Sequence, residues 1–587
     1  MDSEKITYIA ATDARGKEQA FGIRPVDRAK HMYIIGKTGM GKSTLLENMA
    51  VQDIENGEGF ALIDPHGKTA DLLLDYIPEE RKKDVIYFAP FDIDNPIAFN
   101  IMEDVGPEKR HLVAAGLMSA FKKIWVDMWS ARMEYILGNV IMALLEYPDA
   151  TMLSINRMLT DKDYRKAVVD NITDPSTRSF WVDEYSKYTD RYTADATPAI
   201  QNKVGQFTAN PLIRNMVGQA KSSFDIRKIM DEKKILIVNL SKGQIGEGNA
   251  NLLGSMIITK IYLAAMSRAD VPEIEMQKLP NFYMYVDEFQ SFANESFADI
   301  LSEARKYKLN LTIAHQYIEQ MSDEVRAAVF GNVGTMITFR VGAFDADVLE
   351  KEFAPVFVAE DLVNLGFTQI YLKLMIDGIG SHPFSATTLP PIAPPEKSIR
   401  KEVIESSRES FAYPRTQVEE EIKEWYKPVI PARPDGRSGG LPKKEKSPES
   451  EKDQSGKDRP FQKSFSQKNE ERSFDKTNST GRDSIQKQPS PREFPHTTRN
   501  SMPNSRPTTT NSTFAPKLPK PPQPPKPSQP SHTTAPTSTP ISLDTLKRKM
   551  HKTHDAIPQQ RKDKGPTPEK MKTLREALAE VMNDRPS

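Results

Sequence analysis

Cysteine is absent from the 587 residues. Its absence excludes disulfides, thiolate zinc sites and thiol nucleophiles, and fits a reducing compartment. The opening "MDSEKITYIAATD" lacks the apolar core of a signal peptide. No run approaches the ~18 apolar residues that a bilayer-spanning helix needs. The richest run, "YILGNVIMALLEY", is short and contains Gly138 and Asn139. A soluble, cytoplasmic protein is expected. Charge of one sign is also lacking overall, with 80 Lys and Arg against 80 Asp and Glu.

That balance conceals a division. From residue 396 onward the chain carries 38 basic and 26 acidic residues, whereas residues 1–395 carry 42 and 54. The C-terminal part also holds 26 of the 44 prolines and is rich in Ser, Thr, Gln and Lys. Such a composition cannot bury enough apolar surface to offset its ordering entropy, so residues 429–587 are expected to be a disordered, basic, Pro-rich tail. "KLPKPPQPPKPSQP" suits extended polyproline II. Two amphipathic islands interrupt the tail, one over Ile541, Leu543, Leu546 and Met550, the other over Met571, Leu574, Leu578 and Val581.

The first hundred residues alternate helical patterns with the apolar runs "HMYIIG", "GFALID" and "DVIYFAPF". Continuous apolar character suits strands covered on both faces, as in a parallel α/β sheet. From 106 to 230 the pattern is helical, and Met133, Ile136, Leu137, Val140, Ile141, Leu144 and Leu145 follow i, i+3, i+4, i+7 spacing. Strands then return in "KILIVNL", "NFYMYVDE", "LNLTIAH", "GTMITFRV" and "TQIYLKLMI". The simplest organisation is one α/β domain, 1–105 and 231–395, interrupted by an all-helical insertion. The proline cluster "LPPIAPPEK" closes the folded body, and a short charged helical segment, 396–428, precedes the tail.

Gly36, Gly41, Lys42 and Ser43 satisfy G-x-x-x-x-G-K-[ST] between a strand and a helix. Backbone N–H groups from Gly36, Lys37, Thr38, Gly39, Met40, Gly41, Lys42, Ser43 and Thr44 can curl round phosphate oxygens at a positive helix end. Lys42 is expected to reach the β- and γ-phosphates of ATP, and Ser43 to ligate Mg2+. "FYMYVDEFQ" puts Asp287 and Glu288 at the end of an apolar strand, Asp287 for the magnesium shell and Glu288 to deprotonate the attacking water. Two further strands lie between loop and acid pair in sequence, which favours the RecA-like class over switch GTPases. Gln316 ends the next strand, where a polar side chain can sense the γ-phosphate. Arg305, eighteen residues beyond Asp287, is a candidate arginine finger for a neighbouring subunit. Arg340 in "TFRVG" competes for that role. His66 in "IDPHGK" reads as a loop-shaping residue, and Trp125 and Trp129 as bundle core rather than base-stacking platforms.

Taken together, "HMYIIGKTGMGKSTLL", "ALIDPHGK", "DNPIAFNIM", "YVDEFQSF", "ARKYKLNLTIAHQY" and "FRVGAFDADVLEKEF" resemble the type IV secretion coupling proteins. More broadly they are similar to the HerA/FtsK-like DNA-pumping ATPases. The resemblance spans roughly residues 20 to 390. It implies a RecA-like domain hydrolysing ATP with Mg2+ at the subunit interfaces of a hexameric homo-oligomer, with an all-α insertion that helps select DNA cargo. It also implies secretion-channel or relaxosome proteins as partners, and Lys42, Ser43, Asp287, Glu288, Gln316 and Arg305 as phosphate, magnesium, water, sensor and finger residues. The family usually carries N-terminal transmembrane helices, which this sequence does not show, so docking at the inner membrane is expected to be peripheral. A secretion or pilus-assembly ATPase acting on protein is the competing reading.

Overall fold

The computed structural model describes residues 5–12 and 18–428. The expected tail and its two islands lie outside them. Thirteen strands form in chain order: β1 (Thr7–Thr12), β2 (Gln19–Ile23), β3 (Met32–Ile35), β4 (Gly59–Asp64), β5 (Val85–Phe88), β6 (Ile235–Asn239), β7 (Phe282–Val286), β8 (Leu309–His315), β9 (Thr335–Thr338), β10 (Gln369–Lys373), β11 (Met375–Ile376), β12 (Ile379–Gly380) and β13 (Phe384–Thr388). Eleven share one sheet, ordered β2-β1-β13-β10-β9-β3-β8-β7-β4-β6-β5, and β11 with β12 makes a separate hairpin. From β9 to β5 all neighbours are parallel, and β10, β13, β1 and β2 extend the sheet antiparallel.

The parallel strands are apolar throughout because both faces are covered. Successive side chains point to opposite sides. Tyr33 and Ile35 therefore join the core shared with the helical insertion, while Met32 and Ile34 join the core beneath helix Lys42–Glu55. Below that helix Arg28 is buried, its Nη1 and Nη2 donating to Asp53 at 2.7 and 2.8 Å.

Between β5 and β6 the chain is helical, from Arg110–Ile124 to Ile226–Asp231. Helix Ala131–Leu145 starts where the Ser130 side chain accepts the Met133 N–H, and it buries the whole apolar series from Met133 to Leu145. Its two chain connections are stitched together. The Asn100 amide donates to the carbonyls of Ala150 and Ala220 at 2.9 and 2.7 Å, and Glu103 accepts from Ser222.

Two sequence expectations need correction. The richest apolar run is not the one around Gly138. Residues 247–270 are long and apolar enough, by length and composition, to cross a membrane, and 67% of their most apolar 18-residue stretch is buried inside the protein. Helix Glu247–Met266 is packed on several sides, with Gly116 against Thr259 and Gly254 against Phe292. The folded body also continues past the proline cluster. Helix Arg400–Phe411 lies on β5, where Ser407 Oγ accepts the Tyr87 N–H at 2.9 Å and Val403 is wholly buried. Helix Arg415–Trp425 packs Val418 and Ile422 on Leu153 of the insertion. Arg157 then donates to the Lys427 carbonyl at 2.8 Å and lies over the Trp425 ring. Prolines stop regular structure locally, but apolar residues at helical spacing beyond them still found a surface to cover.

Candidate nucleotide-binding site

Strand β3 delivers the chain to Gly36, and helix Lys42–Glu55 carries it away. Gly36 is packed too tightly for a side chain, and Gly41 is held in a backbone conformation that suits glycine. A Cβ on Gly36 would stand 2.5 Å from Cβ of Phe339, and Gly41 takes φ 117°, open to glycine alone at low cost. The Lys37 N–H donates to the Arg340 carbonyl at 2.8 Å, tying the loop to the end of β9. Met40 packs on the core beneath, while Thr38, Gly39 and Ser43 are exposed and Thr44 half-buried.

Parallel registration brings the other groups to this rim. Ile35 pairs with His315 and with Thr338, and Val286 pairs with Ile313 and with Ile63. Asp64, Asp287 and Gln316 therefore emerge beside Gly36. Strand β8 sits between the phosphate-loop strand and the acid-pair strand, the extra strand of the RecA-like arrangement. Lys42 Nζ donates to the Gly36 carbonyl at 2.6 Å. Burial pulls its ammonium below the ordinary lysine range, and the nearby carboxylates of Glu288 and Asp287 oppose that shift. Ser43 Oγ faces Asp287 Oδ2 at 3.4 Å. Burial, Asp64 and Glu288 push the Asp287 carboxyl up to about 6. The Glu288 N–H donates to Asp287 Oδ1 at 2.9 Å, and Gln316 Nε2 donates to Thr38 Oγ1 at 2.7 Å.

A hydroxyl and a carboxylate facing each other beside an ammonium form a donor set that fits Mg2+ with a phosphate chain. Among the described residues no group of three His, Cys, Asp or Glu side chains could hold a metal by itself.

Arg305 is not part of this rim. It is exposed at the other end of β8, a seven-residue strand or roughly 23 Å away, near His31 at the start of β3. Arg340 stands on the rim itself, with its backbone bonded to the loop. His66 is exposed, and its N–H donates to Asp64 Oδ1 at 2.8 Å, so its backbone shapes the turn after β4. Trp125 stacks on Phe121 under Lys203, and Trp129 donates to Glu134.

Sequence reasoning passed over three residues. Asp64 ends an apolar strand just as Asp287 does, a signal that was present. Glu47 lies in the same field, its carboxyl raised by burial and by Asp287 and Asp64, but it reads as an ordinary helix residue. Gln290 donates to Glu288, a contact made only by the local turn.

Fold and rim together define a RecA-like P-loop nucleotide-binding protein. The family model for the type IV secretion-system coupling protein DNA-binding domain matches residues 22–352, and the chain belongs to that family. Among solved structures it is similar to the plasmid coupling protein TrwB in complex with the non-hydrolysable ATP analogue ADPNP. Identity there is 14%, covering 68% of this chain and 98% of that one, with a TM-score of 0.49. TrwB with ADP and Mg2+ matches at 14% identity, covering 65% and 89%, with a TM-score of 0.48. VirB4 of Thermoanaerobacter pseudethanolicus matches at 13%, covering 67% and 97%, with a TM-score of 0.44. No curated protein matches by sequence.

Proposed function

We propose that this chain is a Mg2+-dependent ATPase that moves DNA through a ring of like subunits in conjugative type IV secretion. Membership of the coupling-protein DNA-binding family supports the DNA and secretion terms. The observation that carries catalysis is the meeting of Lys42, Ser43, Asp287 and Glu288 at the ends of β3 and β7. Lys42 contacts the phosphate chain, and Ser43 with Asp287 would hold the metal. Mg2+ held there would neutralise charge on the phosphate chain. Glu288 accepts a proton from the water whose oxygen attacks the γ-phosphorus. The bond from that phosphorus to the β–γ bridging oxygen breaks, leaving ADP and inorganic phosphate. Gln316, bonded to Thr38 of the loop, reports the γ-phosphate, and Arg305 serves the neighbouring subunit's ATP. The ring docks peripherally at the inner membrane, with secretion-channel or relaxosome proteins as its partners.

Measuring the ATPase rate against DNA concentration, single-stranded and duplex compared, tests this reading. Stimulation by either supports translocation. A rate indifferent to both at low salt overturns the DNA term and favours an export ATPase acting on protein.

A further inference from the structure

The turn after the acid pair is built with unusual care. Glu288 has φ 45° and ψ 49°, a left-handed backbone that a residue with a long side chain rarely adopts. The chain then makes one tight turn, Phe289–Ser291, closed by the Ser291 N–H on the Glu288 carbonyl at 2.9 Å. Two rings nail the turn down. Phe289 is wholly buried 4.5 Å from the Phe297 ring centre, and Phe292 is buried against Gly254, where any Cβ would come within 2.2 Å of the ring. Between those anchors the Gln290 side chain folds back, and its Nε2 donates to Glu288 Oε2 at 2.5 Å.

The other end of that amide is more telling. Gln290 Oε1 is buried and has no hydrogen-bond partner among the described residues. A carboxylate only accepts, so the amide must turn its NH2 to Glu288, and its oxygen is left unsatisfied as the consequence. Oε2 of Glu288 is thereby occupied, while among the described residues no donor engages Oε1. A glutamate side chain with three rotatable bonds becomes a base with one oxygen fixed and one free.

We infer that Gln290 is a positioning residue for hydrolysis, holding the Glu288 carboxylate so that Oε1 meets the attacking water. This rests on the proposed role of Glu288 as the base. Gln290 acts through Glu288, the group its amide holds. Holding a reacting group in line governs turnover rather than ground-state affinity.

The test is steady-state ATPase kinetics of the full chain. Gln290→Met, which keeps length and loses the donor, and Gln290→Asn, one methylene short, should each lower kcat by about tenfold or more. KM for ATP and the melting temperature should stay at parental values. In a Glu288→Asp background, where the carboxylate is already withdrawn from reach, adding Gln290→Met should cost nothing further. Parental kcat in both single variants overturns the inference, as does a loss that simply adds to that of Glu288→Asp or appears in KM alone. Glu288→Gln is assayed alongside. If it hydrolyses ATP like the parent, the base assignment fails and this inference falls with it. If it is inactive while both Gln290 variants are parental, only the inference fails.

Discussion

Gln316 and Thr38 stand 278 positions apart in sequence, yet the amide of one donates to the hydroxyl of the other at 2.7 Å. The bond joins the tip of β8 to the crown of the phosphate loop. If the contact reports on the γ-phosphate as proposed, Gln316→Ala should leave ATP affinity within a few-fold and lower turnover by about tenfold or more. Thr38→Val should reproduce part of the loss. Nucleotide titration and ATPase rate check both, and unaltered turnover in Gln316→Ala removes the sensor role.

Lys42 and Glu288 should separate binding from chemistry. Lys42→Ala removes a cation from the loop, so ATP affinity and turnover should both collapse. If Glu288 is the base as proposed, Glu288→Gln should retain ATP and stall hydrolysis by about 10²-fold or more. A single-turnover assay with radiolabelled ATP reads the difference directly.

Arg305 cannot reach the rim of its own subunit, from which β8 separates it. If it serves a neighbour, Arg305→Ala should bind ATP normally and lose turnover in the assembled ring by roughly 10³. Mixing it with Glu288→Gln subunits should restore activity at interfaces pairing an intact Arg305 with an intact Glu288. Mixed rings, verified by mass, that stay inactive alongside an active parent would pass the role to Arg340.

The C-terminal helices set a sharp truncation boundary. A chain stopped after Pro395 uncovers β5 and deletes Val403, Val418 and Ile422, each buried and worth about 1.5–3 kcal/mol. It should melt well below the parent or aggregate. A chain stopped after Lys427 should keep the parental melting temperature and basal ATPase, and should lose any partner binding that belongs to the tail. Equal melting of the two truncations would overturn this boundary.

Two buried histidines make stability fall in mild acid. Burial lowers the His31 imidazole to about 4 and that of His315 to about 3. Both stay neutral in the fold, whereas the unfolded chain protonates them near 6.5. Their contribution is therefore intact above about pH 6.5 and declines as pH falls toward 4, each histidine costing up to ~1.4 kcal/mol per pH unit. His31 has φ 60°, which asparagine tolerates, and its Nδ1 accepts the Leu311 N–H. Melting curves from pH 7.5 to 4.5 should be flatter for His31→Asn, whatever its stability at the upper end. Identical slopes would exclude His31.

The central sheet was legible because strands buried on both faces write themselves as unbroken apolar runs, as in "ILIVN" and "FYMYV". Strands β1, β2 and β13 were not. They lie at the antiparallel side of the sheet, are partly exposed, and carry the mixed residues that such positions allow. The phosphate loop and acid pair were legible because their chemistry demands particular residues at fixed spacing. Gln290 and Glu47 were not, since their proximity to the rim depends on a left-handed turn and on helix packing that leave no spacing rule behind.

Strand β8 has a mechanical consequence. Its seven residues are buried end to end, clamped between β3 and β7, and an extended chain held on both sides can be neither stretched nor shortened appreciably. Gln316 stands at one tip and Arg305 just beyond the other. The strand thus holds the phosphate rim and the segment that carries Arg305 at a fixed separation.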